Sequence, residues 1–203
     1  MTSMAPLQFD PEEGKTIFEP EGRGKGYWIG APLVYFDDEL GSYFLYVRVR
    51  NPRPESGKVQ PEDERRGYKC QIFESSEPDS FRGKPIWEMR KSELGVKSME
   101  GAALLKEGGK YHLFLSFESD SLIPRWKMQK CIANHPSEFK PEDFQGIQWN
   151  FPTLRRLAIK DPVILRQEEK IFLYVDYFRF WKKPFGSTAM LESNDGTNFT
   201  WRG

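Results

Sequence analysis

Two cysteines and two histidines are all that 203 residues supply of the usual metal-binding and redox side chains. Cys70 and Cys131 are too few for a disulfide framework, and both fall in segments that read as strands, where cysteine behaves as a small buried hydrophobe. His112 and His135 are not at zinc-ligand spacing, and neither Ser116 nor Ser193 has a histidine partner for a Ser-His-Asp triad. No glycine loop opens a helix to cradle phosphate. No metal or cofactor is therefore expected. An excess of one charge is also missing, since Lys+Arg and Asp+Glu each number 30. That balance gives no global field to draw in nucleic acid or an anionic membrane. No apolar run approaches the length of a membrane span, and the stretch from Met1 to Glu13 lacks the apolar centre of a signal peptide. The expectation is a soluble, cytoplasmic protein without nucleic-acid or membrane partners.

What the chain has is aromatic residues, at 15%, and turn formers, with 17 Gly and 15 Pro. This mixture favours many short strands over helices. Three segments share a hairpin pattern of apolar strand, tight turn and aromatic-rich strand. They begin at Ala31-Pro32-Leu33-Val34, at Gly101-Ala102-Ala103-Leu104 and at Asp161-Pro162-Val163-Ile164. Each unit then ends on a polar turn that delivers Phe81, Phe139 or Phe199, followed by Trp87, Trp149 or Trp201, which the pattern assigns to an outer fourth strand. The three Phe recur at intervals of 58 and 60 residues.

A four-stranded unit with a period near sixty is the signature of a β-propeller blade. The fold class is all-β, with about three blades in one propeller domain: an N-terminal arm over 1–26, then blades over 27–97, 98–158 and 159–203. Propellers close with four to eight blades, so three leave an incomplete ring. The chain is therefore expected to be the N-terminal part of a longer protein, the alternative being blades supplied by a partner, and self-association would cover the open edges. The longest insertion, Asn51 to Gly67, sits where a rigid scaffold places function.

Antiparallel pairing puts the starts of inner strands, the ends of second strands and the starts of third strands on one face. Converging there are Trp28, Arg48, Arg50, Glu100, Glu118, Trp126, Asp161, Asp176 and Tyr177. Two separated carboxylates are what glycosidic bond cleavage needs, one protonating the leaving oxygen and the other acting as base or nucleophile. Glu100 and Asp161 are the candidate catalytic pair. Trp28, Arg48, Arg50, Glu118, Trp126, Asp176 and Tyr177 are the candidate substrate-binding residues, with aromatic faces for sugar rings and polar groups for hydroxyls. The competing reading makes Asp161 a turn cap before Pro162 and Glu100 a solvated loop acid.

The run Trp28-Ile29-Gly30-Ala31-Pro32, the strand from Tyr43 to Arg50, Ser98-Met99-Glu100-Gly101 and Lys160-Asp161-Pro162-Val163 resemble the five-bladed propeller glycosidases. That superfamily includes arabinanases, β-xylosidases, levansucrases, invertases and β-mannoside phosphorylases. The resemblance runs from about residue 27 to the C-terminus and implies an oligosaccharide or glycoside substrate. It also implies an Asp on the first inner strand as base or nucleophile, an acid Glu from a later blade, and an Asp-Pro carboxylate. Asp161-Pro162 matches the last and Glu100 matches the Glu loosely, whereas the first-blade position reads Ala31-Pro32. That departure leaves three readings: another carboxylate arrangement, a phosphorylase-like use of phosphate held by Arg48 and Arg50, or a non-catalytic propeller that binds carbohydrate or another partner. Ser193-Asn194-Asp195-Gly196 is read as an outer turn without a catalytic part.

Overall fold

The computed structural model describes residues 10–51, 67–120, 126–150, 157–179 and 187–203. The insertion between Asn51 and Gly67 and the Lys-rich tip at 181–183 lie outside them, apart from Asn51 and Gly67 themselves. The chain is all-β, in three successive sheets whose consecutive strands pair antiparallel.

Blade 1 comprises β1 (Trp28–Asp37), β2 (Ser42–Arg50), β3 (Lys69–Ser75) and β4 (Trp87–Arg90), paired in chain order. Blade 2 comprises β5 (Val96–Glu107), β6 (Lys110–Ser119), β7 (Trp126–Ala133) and the two-residue β8 (Gln145–Gly146). Blade 3 holds β10 (Leu157–Gln167), β11 (Lys170–Arg179), β12 (Ser187–Ser193) and β13 (Asn198–Trp201), with β9 (Gln148–Asn150) added at its outer edge. Among the described residues no helix is long and apolar enough to cross a membrane.

The strand β9 corrects one expectation. Trp149 does not fill the outer strand of blade 2. It pairs in parallel with Phe199 of blade 3. The reason is burial: Ile147 and Trp149 point into the apolar layer between blades 2 and 3, while Gln148 and Asn150 face solvent. The short β8 ends soon enough for the chain to cross and bridge the two blades.

The turns follow their residues. Asp37, fully buried, accepts the N–H groups of Glu39 and Leu40 at 3.0 and 3.1 Å, and Gly41 closes that hairpin in the left-handed region at φ 63°. In blade 2 the paired glycines Gly108 and Gly109 do the same work at φ 57° and 75°.

β2 reads Phe44, Tyr46, Arg48 on one side and Leu45, Val47, Val49 on the other, and all six are buried. Phe44 and Tyr46 pack with Leu113, Leu115 and Met99 between blades 1 and 2. Phe114, Leu173, Val175 and Phe199 fill the layer between blades 2 and 3. Each such side chain contributes roughly 1.5–3 kcal/mol of transfer free energy. The other side of blade 1 is covered by the segment preceding β1: Phe18 lies 4.4 Å from Phe73, Lys15 pairs with Asp79, and Glu21 is held by Tyr68 and Lys69. Cys70 and Cys131 are free, buried thiols in strands, and burial pushes them up to about 12 and about 11.

Candidate functional site

All three inner strands lose register near their start, between Gly30 and Leu33, between Met99 and Ala102, and between Lys160 and Val163. These bulges carry Ala31-Pro32, Glu100-Gly101 and Asp161-Pro162. Glu100 and Asp161 were expected at the starts of inner strands. Pairing instead begins earlier, at Val96 and Leu157, and the bulge is what turns these residues out of the ladder. Ala31 and Asp161 both adopt φ 51°, a left-handed conformation that costs an L-residue roughly 1–2 kcal/mol. Shared strain of this kind marks a position worth a functional hypothesis.

Glu100 is no solvated loop acid, being 3% exposed. Its Oε2 pairs closely with Nη1 of Arg48 and lies 3.7 Å from Nη2 of Arg50, while Ser98 Oγ donates to its Oε1 at 2.8 Å. The Tyr46 hydroxyl donates to the Glu100 carbonyl at 2.6 Å. Both guanidiniums stack on Trp28, each 5.0 Å from the ring centre. Thus Trp28, Arg48 and Arg50 of blade 1 converge on one carboxylate of blade 2. A buried carboxylate with two cationic partners and a hydroxyl donor is favoured in its ionised form. Gly67 seals the back of this cluster: at φ 59° its carbonyl accepts the Met99 N–H at 2.8 Å, and a methyl group there would collide with the Met99 oxygen.

Asp161 is placed differently. Its side chain is 40% exposed and pairs with Lys160 Nζ at 2.6 Å. Its backbone N–H donates to Ser116 Oγ at 3.2 Å, and Ser116 in turn donates to the Gly101 carbonyl at 2.7 Å. The carboxylate lies against Gly101, where a methyl group would come within 2.9 Å of Oδ1. Glu100-Gly101 and Asp161 are therefore immediate neighbours across the junction of blades 2 and 3. Burial above all, then Cys70, raise the Tyr46 hydroxyl well above its ordinary value, and the Asp161 charge adds to this from the third blade.

The remaining candidates spread outward from this pair. Lys160 also sits over the Trp126 ring at 5.6 Å and faces Asp176 across the ladder. Asp176 lies 3.4 Å from Thr188 Oγ1. Glu118 stands opposite Ser98 and Trp126 and approaches Lys97 at 3.6 Å. Tyr177 is turned to the interblade layer, edge-on to Trp201 at 5.7 Å. Sequence reasoning missed Tyr46, Ser98 and Ser116 as supports. Tyr46 and Ser98 each stand two residues before a candidate, on the same side of the strand, so strand alternation could have found them. Ser116 carried no such signal. Among the described residues no group of His, Cys, Asp and Glu is arranged to hold a metal.

No family model and no curated protein matches the sequence. Solved structures do match in fold. A β-xylosidase/α-arabinofuranosidase from a compost microbial metagenome, solved with xylotriose, superposes with a TM-score of 0.58 at 12% identity, over 91% of this chain and 60% of its own. A family 117 glycoside hydrolase from Zobellia galactanivorans gives 0.59 at 17% identity, over 87% and 55%. An α-L-arabinofuranosidase from Lactobacillus brevis gives 0.56 at 13%, over 85% and 51%. The chain has the fold of the five-bladed propeller glycosidases and spans between half and three fifths of the length of these three.

Proposed function

We propose that the face formed by the three bulges takes an oligosaccharide or glycoside and cleaves its glycosidic bond, with Glu100 and Asp161 as the working carboxyl groups. The observation that supports this reading is that Glu100-Gly101 and Asp161 meet across one blade junction, with one carboxyl group buried and ion-paired and the other exposed. Glycoside cleavage needs such a division. One carboxyl gives its proton to the leaving oxygen as the C1–O bond breaks. The other, ionised, takes a proton from the attacking water or attacks C1 itself. Glu100, held by Arg48, Arg50 and Ser98, and Asp161, facing outward beside Lys160, divide these two roles between them. The exposed Trp28 offers a face for a sugar ring, and Trp126 with Lys160 forms a second wall.

The test is hydrolysis of a panel of nitrophenyl glycosides by the 203-residue chain, with and without inorganic phosphate. Cleavage lost in both Asp161→Asn and Glu100→Gln is the expected result. Turnover that requires phosphate would replace water as the acceptor. Glycan binding without turnover would make this a binding propeller, and turnover indifferent to both substitutions would sink the residue assignment. Val163 and Leu165, exposed on the free side of blade 3, support self-association, which light scattering reads directly: a strict monomer contradicts it.

A further inference from the structure

We infer that Ser116 is a positioning residue for Asp161, fixing the direction of that carboxylate from the neighbouring blade. This rests on the reading of Asp161 as a reacting group. Ser116 is fully buried within β6, in a strand otherwise filled by Leu113, Phe114, Leu115 and Phe117. A hydroxyl placed there needs partners, because an unsatisfied buried polar group costs roughly 1–3 kcal/mol. Its partners are both bulges. It donates to the carbonyl of Gly101 and accepts the N–H of Asp161.

Inside a bulge a backbone N–H and carbonyl have lost their ladder partners, and Ser116 supplies replacements for one group on each strand. The bond to Asp161 N–H also acts at the residue whose φ of 51° must be maintained. Side-chain direction follows backbone dihedrals, so the hydroxyl that holds this φ sets where the carboxylate points. Gly101 completes the arrangement by leaving room for Oδ1. Blade 1 has a related but different device, since Tyr46 donates to the Glu100 carbonyl. Ser116 bonds to both bulges of the candidate pair.

The experiment compares Ser116→Ala, Ser116→Thr and Asp161→Asn with the unaltered chain. On the nitrophenyl glycoside turned over fastest, Ser116→Ala is expected to lower kcat by about 10-fold or more while KM stays within about twofold, since placement of a reacting group is lost and ground-state binding is kept. Ser116→Thr, which keeps the hydroxyl, restores most of it. Amide hydrogen exchange gives a readout independent of turnover: the Asp161 N–H exchanges at least tenfold faster in Ser116→Ala and recovers in Ser116→Thr. An unchanged kcat in Ser116→Ala, beside an inactive Asp161→Asn, overturns the positioning role alone. An active Asp161→Asn overturns the reading beneath it. Unchanged Asp161 exchange overturns the inference whatever the activity.

Discussion

The two blade junctions do different jobs with different chemistry. Blade 1 meets blade 2 through full charges: Arg48 and Arg50 on Glu100, and Asp37 bound by Lys106 at 2.9 Å and by the Tyr111 hydroxyl. Blade 2 meets blade 3 through hydrogen bonds at the bulges, with an ion pair of Arg166 and Glu107 only at the far ends of β10 and β5. Ser116 links the bulges, and Lys130, buried beside His112, donates to the Gly196 carbonyl at 2.9 Å and to Thr197 Oγ1 at 2.8 Å. The charged junction immobilises its carboxylate. The second junction leaves Asp161 half-exposed on a backbone that is nonetheless fixed. Two carboxyl groups in unlike surroundings thus come from one repeated bulge, because the flanking strands differ.

The sharpest way to break the charged junction is Arg48→Met. It leaves Glu100 buried with less compensation, which costs about 3–5 kcal/mol. For a chain of this size the melting temperature falls on the order of 10 °C. Adding Glu100→Gln to Arg48→Met should recover part of the loss, and calorimetry of the two variants reads both effects. Equal melting temperatures for Arg48→Met and the unaltered chain would mean that charge does not hold this junction.

Acid should separate the two junctions in order. His112 is held neutral, down to about 4 from an ordinary 6.5, first by burial and then by the Lys130 charge. The unfolded chain therefore binds more protons than the folded one between these values. Stability is full above pH 6.5 and is lost as pH falls toward 4. The expected drop in melting temperature over that window is on the order of 5 °C, and His112→Gln should flatten it. Asp37 behaves oppositely in range: burial would raise its carboxyl, but Tyr111 and Lys106 outweigh that and hold it below its ordinary 3.8. Its contribution is lost only below pH 3.8. The junction of blades 2 and 3 loosens first, and a melting profile flat from pH 7 to 4 would contradict this.

The smallest effect concerns the bulges themselves. Ala31→Gly relieves a left-handed alanine, worth roughly 1–2 kcal/mol, against glycine's extra freedom in the unfolded chain, roughly 0.5–1 kcal/mol. Stability should change by less than about 1 kcal/mol, and activity should not change. Asp161→Gly makes the same backbone change and should abolish activity, which separates backbone shape from carboxylate chemistry.

The repeat made the blades legible because turn residues and alternating apolar positions obey local rules. Gly108-Gly109 and the Phe44 to Val49 alternation could be placed directly. The inner-strand ends could not, because Ala31-Pro32 and Asp161-Pro162 look like strand starts although pairing continues before them. Trp149 misled for a related reason: its burial partner, Phe199, is fifty residues away and invisible to a local pattern. Glu100 was found as an acid, but its housing was not. Nothing in Ser98-Met99-Glu100 announces that two arginines from the preceding blade will close on it. Ser116 was weighed only as a nucleophile, and its place between two bulges depends on a third strand.

The most direct measurement is kcat for Asp161→Asn beside the unaltered chain on the best glycoside of the panel, with both melting curves. A fall of about 10²–10⁴-fold at an unchanged melting temperature is the predicted result, the range expected when a positioned acid–base group is removed. Turnover within about twofold of the unaltered chain would contradict the account.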